Sequence, residues 1–309
     1  MSELTDKVKK SIERLKAFCP EEGYYLAFSG GKDSVVCKAL LEMSGCKHDS
    51  TYRVTSVDPP ELVRFIKDVH PDVKREVPRY GKRRGEKWEG KPITMWNLIP
   101  WKRMPPTRIA RYCCEFLKES GGDGRMTVTG VRWAESRNRK ENQGSVTIVG
   151  KTAGRELGDN PDFTSTARGG VVLTNDNTDS RKMIEQCYKR HKTTVNPIIE
   201  WSDTDVWEFI RANGIPYCSL YDEGFTRLGC IGCPMARRHG RAIEFARWPK
   251  YRDIYIRTFD EMLAERRKNG KTNGTWANAT GLDVFRWWME FDVLPGQYDL
   301  FENEVEESQ

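Results

Sequence analysis

Apolar positions along this chain switch between a helical and a strand period. Val8, Ile12 and Leu15 share one stripe of a 3.6-residue repeat, which predicts a helix over 5–17. The run Tyr24-Tyr25-Leu26-Ala27-Phe28 reads as a buried strand entering a turn at Ser29-Gly30-Gly31. Val35, Val36, Ala39, Leu40 and Met43 then restore helical spacing over 34–43. A second strand is expected at 52–57, closed by Asp58-Pro59-Pro60 because proline lacks the N–H a ladder needs. A helix over 61–69, a strand at 73–77 and a strand at 126–131 running into Arg132 complete the alternation. Strands and helices in this order predict an α/β fold: a doubly wound, mostly parallel sheet with helices on both faces.

Residues 138–192 break the pattern. They are polar and rich in Gly, Asn, Thr and Asp, with β-like pieces only at 145–149 and 171–174, and are expected to form an insertion with a hairpin and a lid. Helical spacing returns at 203–212, with Ser202 as the N-cap. After Pro234 the chain turns into amphipathic helices rich in Trp, Tyr and Arg, over 243–267 and 282–291. The expected organisation is one α/β domain over 1–235 and a C-terminal helical extension over 236–309.

Composition narrows the setting. The chain has 309 residues, 38% of them hydrophobic and 31% charged, enough for one large domain with an appendage. No apolar run is long enough to span a bilayer, and residues 1–10 lack the apolar core of a secretory signal, so no membrane partner and a cytoplasmic location are expected. The net charge of +6 suits phosphorylated ligands and admits nucleic acid. Nine cysteines without a leader argue against a disulfide framework.

The chemistry begins at Ser29-Gly30-Gly31-Lys32-Asp33-Ser34. A strand feeding a glycine turn that opens a helix presents backbone N–H groups and the positive helix end to an anion. Glycine lets the backbone approach a phosphate with no Cβ in the way. Lys32 can neutralise phosphate, Asp33 can hold Mg²⁺, and Ser29 and Ser34 offer hydroxyls. The spacing is not that of a Walker A loop. It resembles the pyrophosphate loop (PP-loop) of the adenine-nucleotide α-hydrolase superfamily, which implies an adenine nucleotide as ligand.

Three further segments resemble the phosphoadenosine-phosphosulfate (PAPS) reductase family within that superfamily. They are Arg111-Tyr112-Cys113-Cys114-Glu115-Phe116-Leu117-Lys118, Gly130-Val131-Arg132-Trp133-Ala134-Glu135-Ser136-Arg137, and the stretch from Asn196-Pro197 through Asp205-Val206-Trp207 to Cys230-Ile231-Gly232-Cys233-Pro234. With the loop, the resemblance covers most of 24–235. Arg132 and Arg137 fall near the end of an expected strand, where ligands of open α/β sheets gather, and are candidate anion contacts, with Glu135 orienting one of them. Asp58, at another strand end, is a candidate contact to nucleotide or metal.

The resemblance implies a [4Fe-4S] cluster on Cys113, Cys114, Cys230 and Cys233, and soft thiolates suit such a cluster. Cys218 is a competing ligand, twelve residues before Cys230. Zinc is an alternative occupant, since Cys₄ sites bind it too. The family's reductases also use a cysteine near the C-terminus, whereas no cysteine follows Cys233 here. No catalytic residue is assigned. The expected function is therefore ATP-dependent adenylation and sulfur transfer, with Mg²⁺, a thiol or sulfur-donor protein and an acceptor that extends to nucleic acid. The Arg- and Trp-rich C-terminal helices suit that acceptor, although amphipathic packing alone accounts for them. The alternatives are a true PAPS or adenylyl-sulfate reductase forming sulfite, and a non-catalytic metal-binding partner subunit.

Overall fold

The structure, a computed structural model, describes residues 3–271, 274 and 276–290. These fall into two compact units. The larger comprises residues up to 54, 60–77 and 120–229; the smaller comprises 55–59, 78–119 and the residues from 230 on.

The larger unit is built on one eight-stranded sheet. Its strands are β1 (Tyr24–Ala27), β2 (His48–Arg53), β3 (Lys74–Glu76), β4 (Thr127–Val128), β5 (Val146–Val149), β6 (Phe163–Ser165), β7 (Val171–Leu173) and β8 (Lys192–Val195). Their spatial order is β3-β2-β1-β4-β8-β5-β7-β6. The first five run parallel, and β5, β7 and β6 join antiparallel. The mostly parallel α/β sheet is thus as expected. The chain steps outward from β1 to β2 and β3, then returns to the other side of β1 as β4. That reversal between β1 and β4 is the topological switch at which open α/β sheets bind ligands.

Two expectations shift. β2 begins at His48, ahead of the expected 52, because its outer half is polar. The 138–192 stretch adds strands and helices to the sheet: β5 pairs with β8, the β6–β7 hairpin extends the antiparallel edge, and the helices Lys151–Leu157 and Thr178–Cys187 lie between and after these strands. Val146, Ile148, Val171, Leu173 and Phe163 are buried there, with Thr147 buried among them, while Thr164 and Ser165 of β6 are exposed. Burial of that apolar set makes this stretch part of the core layer, in place of the expected lid.

The smaller unit packs the helix Pro249–Lys268 against Met95–Lys102 and Gly281–Glu290. Phe245, Tyr255, Phe259 and Trp288 form its aromatic centre, with ring centroids 4.8–6.2 Å apart. The helices after residue 236 therefore share one core with residues 78–119. No helix among the described residues is long and apolar enough to cross a membrane.

Candidate functional site

At the sheet's switch point, β1 ends at Ala27 and the loop begins. Gly30 adopts φ +73°, a left-handed conformation that favours glycine, and a Cβ there would sit 2.8 Å from the side chains of Leu62 and Ile66. Gly31 then caps the helix Lys32–Ser44 with no side-chain bond to its first turn, so the helix opens with backbone donors. The hydroxyls of Ser29 and Ser34 bond each other at 3.2 Å, and Ser34 donates to the Gly31 carbonyl at 2.9 Å, which holds the turn closed. The Lys32 N–H donates to the Tyr221 hydroxyl at 2.8 Å.

The loops that leave β1, β4 and β8 meet here. Arg132 follows β4 and is 1% exposed. Its Nε donates to Asp33 at 2.7 Å, its Nη2 to Asp203 at 2.6 Å and its Nη1 to the Trp201 carbonyl at 3.2 Å. Lys32 Nζ lies 3.4 Å from Asp33 and 3.3 Å from Asp203. Two cations and two carboxylates thus form a closed quartet. Burial works against the Asp203 carboxylate, but the Lys32 and Arg132 charges and hydrogen bonds outweigh it, so the group titrates below its usual range. Gly130 permits the approach of β4's end, since a Cβ there would meet Asp33 at 2.9 Å.

Other sequence candidates lie differently. Arg137 has a 92% exposed side chain and pairs with Glu141 at 2.9 Å, on the surface. Glu135 accepts from the Arg132 backbone N–H and pairs with Arg139, so it shapes the turn after β4. Arg132 itself is enclosed by protein partners, which makes it an organiser of Asp33 and Asp203. Asp58 belongs to the smaller unit, where its carbonyl accepts from Tyr251 at 3.2 Å. Asp203 and Tyr221 are the residues sequence reasoning did not single out. The Ser202 N-cap before Asp203 was the only signal for the first. Nothing local marked Tyr221.

In the smaller unit Cys113, Cys114, Cys230 and Cys233 come close enough to influence one another's titration. Cys113 and Cys114 share a hydrogen bond that raises the first and lowers the second, and Arg111 donates to Cys114 Sγ at 3.4 Å. Burial pushes Cys230 up to about 12 against the pull of Lys118. Lys118 is raised in turn, by its pairing with Cys230 first and by the nearby Asp58 carboxylate, against its burial. Cys113-Cys114 leads into a π-helical stretch, Glu115–Glu119, a distortion that recurs at functional sites. Gly232, at φ +73°, lets the Cys230–Cys233 turn lie flat on Phe245, whose ring a Cβ would meet at 2.6 Å. Two thiol pairs with cationic neighbours have the donor chemistry of a soft-metal site. Among the described residues, however, no three His, Cys, Asp or Glu side chains are gathered as metal ligands. Cys218 lies in the larger unit, buried, at the head of the short helix that carries Tyr221.

The model of the phosphoadenosine phosphosulfate reductase domain matches residues 23–236. The chain belongs to that family. A Neisseria meningitidis adenosine 5'-phosphosulfate reductase is 45% identical over 53 residues, 17% of this chain and 22% of that protein. An uncharacterized protein of Methanocaldococcus jannaschii is 24% identical over 261 residues, 80% of this chain and 43% of that protein. The chain spans less than half the length of these curated relatives. Among solved structures, a Candida glabrata FMN adenylyltransferase in complex with FAD and pyrophosphate covers 74% of this chain and 64% of its own, at 14% identity and TM-score 0.42. A Candida auris PAPS reductase covers 74% and 96%, at 13% and 0.38. Membership of the PAPS reductase family carries the PP-loop superfamily with it.

Proposed function

We propose that this chain is an enzyme that binds ATP with Mg²⁺ on the loop Ser29–Ser34 and adenylates an acceptor, releasing pyrophosphate. The quartet Lys32–Asp33–Arg132–Asp203 carries the reading. Its charges cancel, so a bare anion meets two carboxylates, whereas a metal-bound pyrophosphate brings the cation that Asp33 and Asp203 can share. Mg²⁺ would supply charge neutralisation at the phosphates. The chain's own residues would do the rest. The N–H groups after Gly30 would cradle the phosphates, Lys32 would contact a phosphate oxygen, and Arg132 would fix both carboxylates. Tyr221 accepts from the Lys32 amide and would yield that donor to a phosphate.

The thiols Cys113, Cys114, Cys230 and Cys233 would hold a [4Fe-4S] cluster, or zinc in its place, and a thiol or sulfur-donor protein would complete the chemistry. The cluster would supply electron transfer or sulfur handling when bound. Anaerobic purification with metal counts and an absorption spectrum tests it, and a protein with neither iron nor zinc would refute it.

The nucleotide test is thermal shift. ATP with Mg²⁺ should raise Tm, and each alone should do so far less. A second reading, reduction of a sulfonucleotide to sulfite, is favoured by the named reductase relatives. It predicts stabilisation by adenosine 5'-phosphosulfate without metal, and sulfite formation with a thiol reductant.

A further inference from the structure

The formal charge of the chain is divided unevenly. The larger unit has 28 Lys and Arg against 27 Asp and Glu. The smaller unit, through residue 290, has 23 against 12, so nearly all the excess positive charge sits there. The density peaks at residues 78–111, with ten basic residues and two acidic. Lys82, Lys87 and Arg108 are exposed and, among the described residues, make no ion pair.

Aromatic rings are interleaved with these cations. Lys91 lies 5.2 Å from the Trp88 ring, and Arg84 lies 3.3 Å from Trp88 and 5.1 Å from Trp101. Lys102 lies 4.8 Å from Trp101 and 4.4 Å from Phe116. Arg84 Nε and Nη1 are buried without a hydrogen-bond acceptor, so ring faces are what they meet. The strip ends at Phe116, two residues past Cys114. A structural glue would need the stacked Arg84 but not the exposed cations around it. Alternating positive charge and π faces is the arrangement that tracks a single-stranded nucleic acid, cations on the phosphates and rings on the bases.

We infer that the face formed by residues 78–111 binds single-stranded nucleic acid. This deepens the adenylation reading by naming the acceptor class and rests on it only for the chemistry, since binding here needs no nucleotide. The experiment is fluorescence anisotropy with a labelled 20-nucleotide single strand, on the full chain without ATP. The expected log–log salt slope is about −3, as for roughly four or five phosphates on a single strand. The double reversal Lys87→Glu with Lys91→Glu should weaken binding by about tenfold or more at low salt while leaving the melting curve unchanged. The matched reversal Lys140→Glu with Arg190→Glu, on the larger unit, should change it less than threefold. A duplex of the same length should bind more weakly. No binding at low salt, equal effects of the two reversals, or equal affinity for duplex would each overturn the inference. Because ATP is absent throughout, failure here is separable from failure of the thermal shift.

Discussion

Gly30 turns the strand's end toward the helix, and the fold leaves it no space. Gly30→Ala places a Cβ at a left-handed φ and against Leu62 and Ile66. It should cost about 1–3 kcal/mol in denaturant unfolding and abolish the ATP-dependent rise in Tm. Arg132 is a second single-residue test. Arg132→Ala removes the cation shared by Asp33 and Asp203 and leaves the Trp201 carbonyl without its donor. The loss should be on the order of 2 kcal/mol, less than for a fully buried pair, because Asp203 stays largely in water. Arg132→Lys should recover part of the stability but less of the nucleotide response, since one ammonium cannot replace a fork with three acceptors. What could be read from the sequence at this scale was what is local. Ser29 to Ser34 announced itself because strand, turn and helix are contiguous. Asp203 and Tyr221 reach the loop only through the crossovers that set β8 beside β4, and no spacing rule spans that distance.

Elements show the same division. The helix Glu3–Ala17 is joined to the segment after β8 by Arg14 and Lys10, which bond Glu200 at 2.8–3.0 Å. Burial opposes the Glu200 carboxylate, yet those two cations hold its pKa at about 2. A carboxyl lowered from about 4.3 in the unfolded chain stabilises the fold above that value and loses the contribution as pH falls toward 2. Glu200→Gln should therefore lower Tm by about 3 °C at pH 7, with the gap closing between roughly pH 5 and pH 2 in a calorimetric series. In the parallel half β1 was legible because Tyr24–Ala27 is an apolar run, whereas β8, Lys-Thr-Thr-Val, is mostly polar and carried no strand signal. At the antiparallel edge β5 and β7 match the β-like pieces read at 145–149 and 171–174, whereas β6, with Phe163 buried and Thr164 and Ser165 exposed, carried no strand signal. The cysteine pairs were visible as motifs. Their companion Lys118 was not marked by spacing, and only folding sets it on Cys230.

Across the whole molecule the notable quantity is charge. Residues 291–309 contain six Asp and Glu and no Lys or Arg. Removing 291–309 would raise the formal charge from +6 to +12, and should tighten binding of a single strand severalfold at about 50 mM salt and hardly at all at about 500 mM. A titration of truncated against full chain at both salts would show it, and an effect that persists at high salt would argue against an electrostatic origin. The quartet at the phosphate loop behaves in the opposite manner, since it offers no net field to an approaching anion. On the adenylation reading proposed above, such a site would ignore what is merely negative in a solution crowded with phosphate. It would answer when metal and polyphosphate arrive together, a requirement for coincidence that would keep free phosphate and metal-free nucleotide from occupying it.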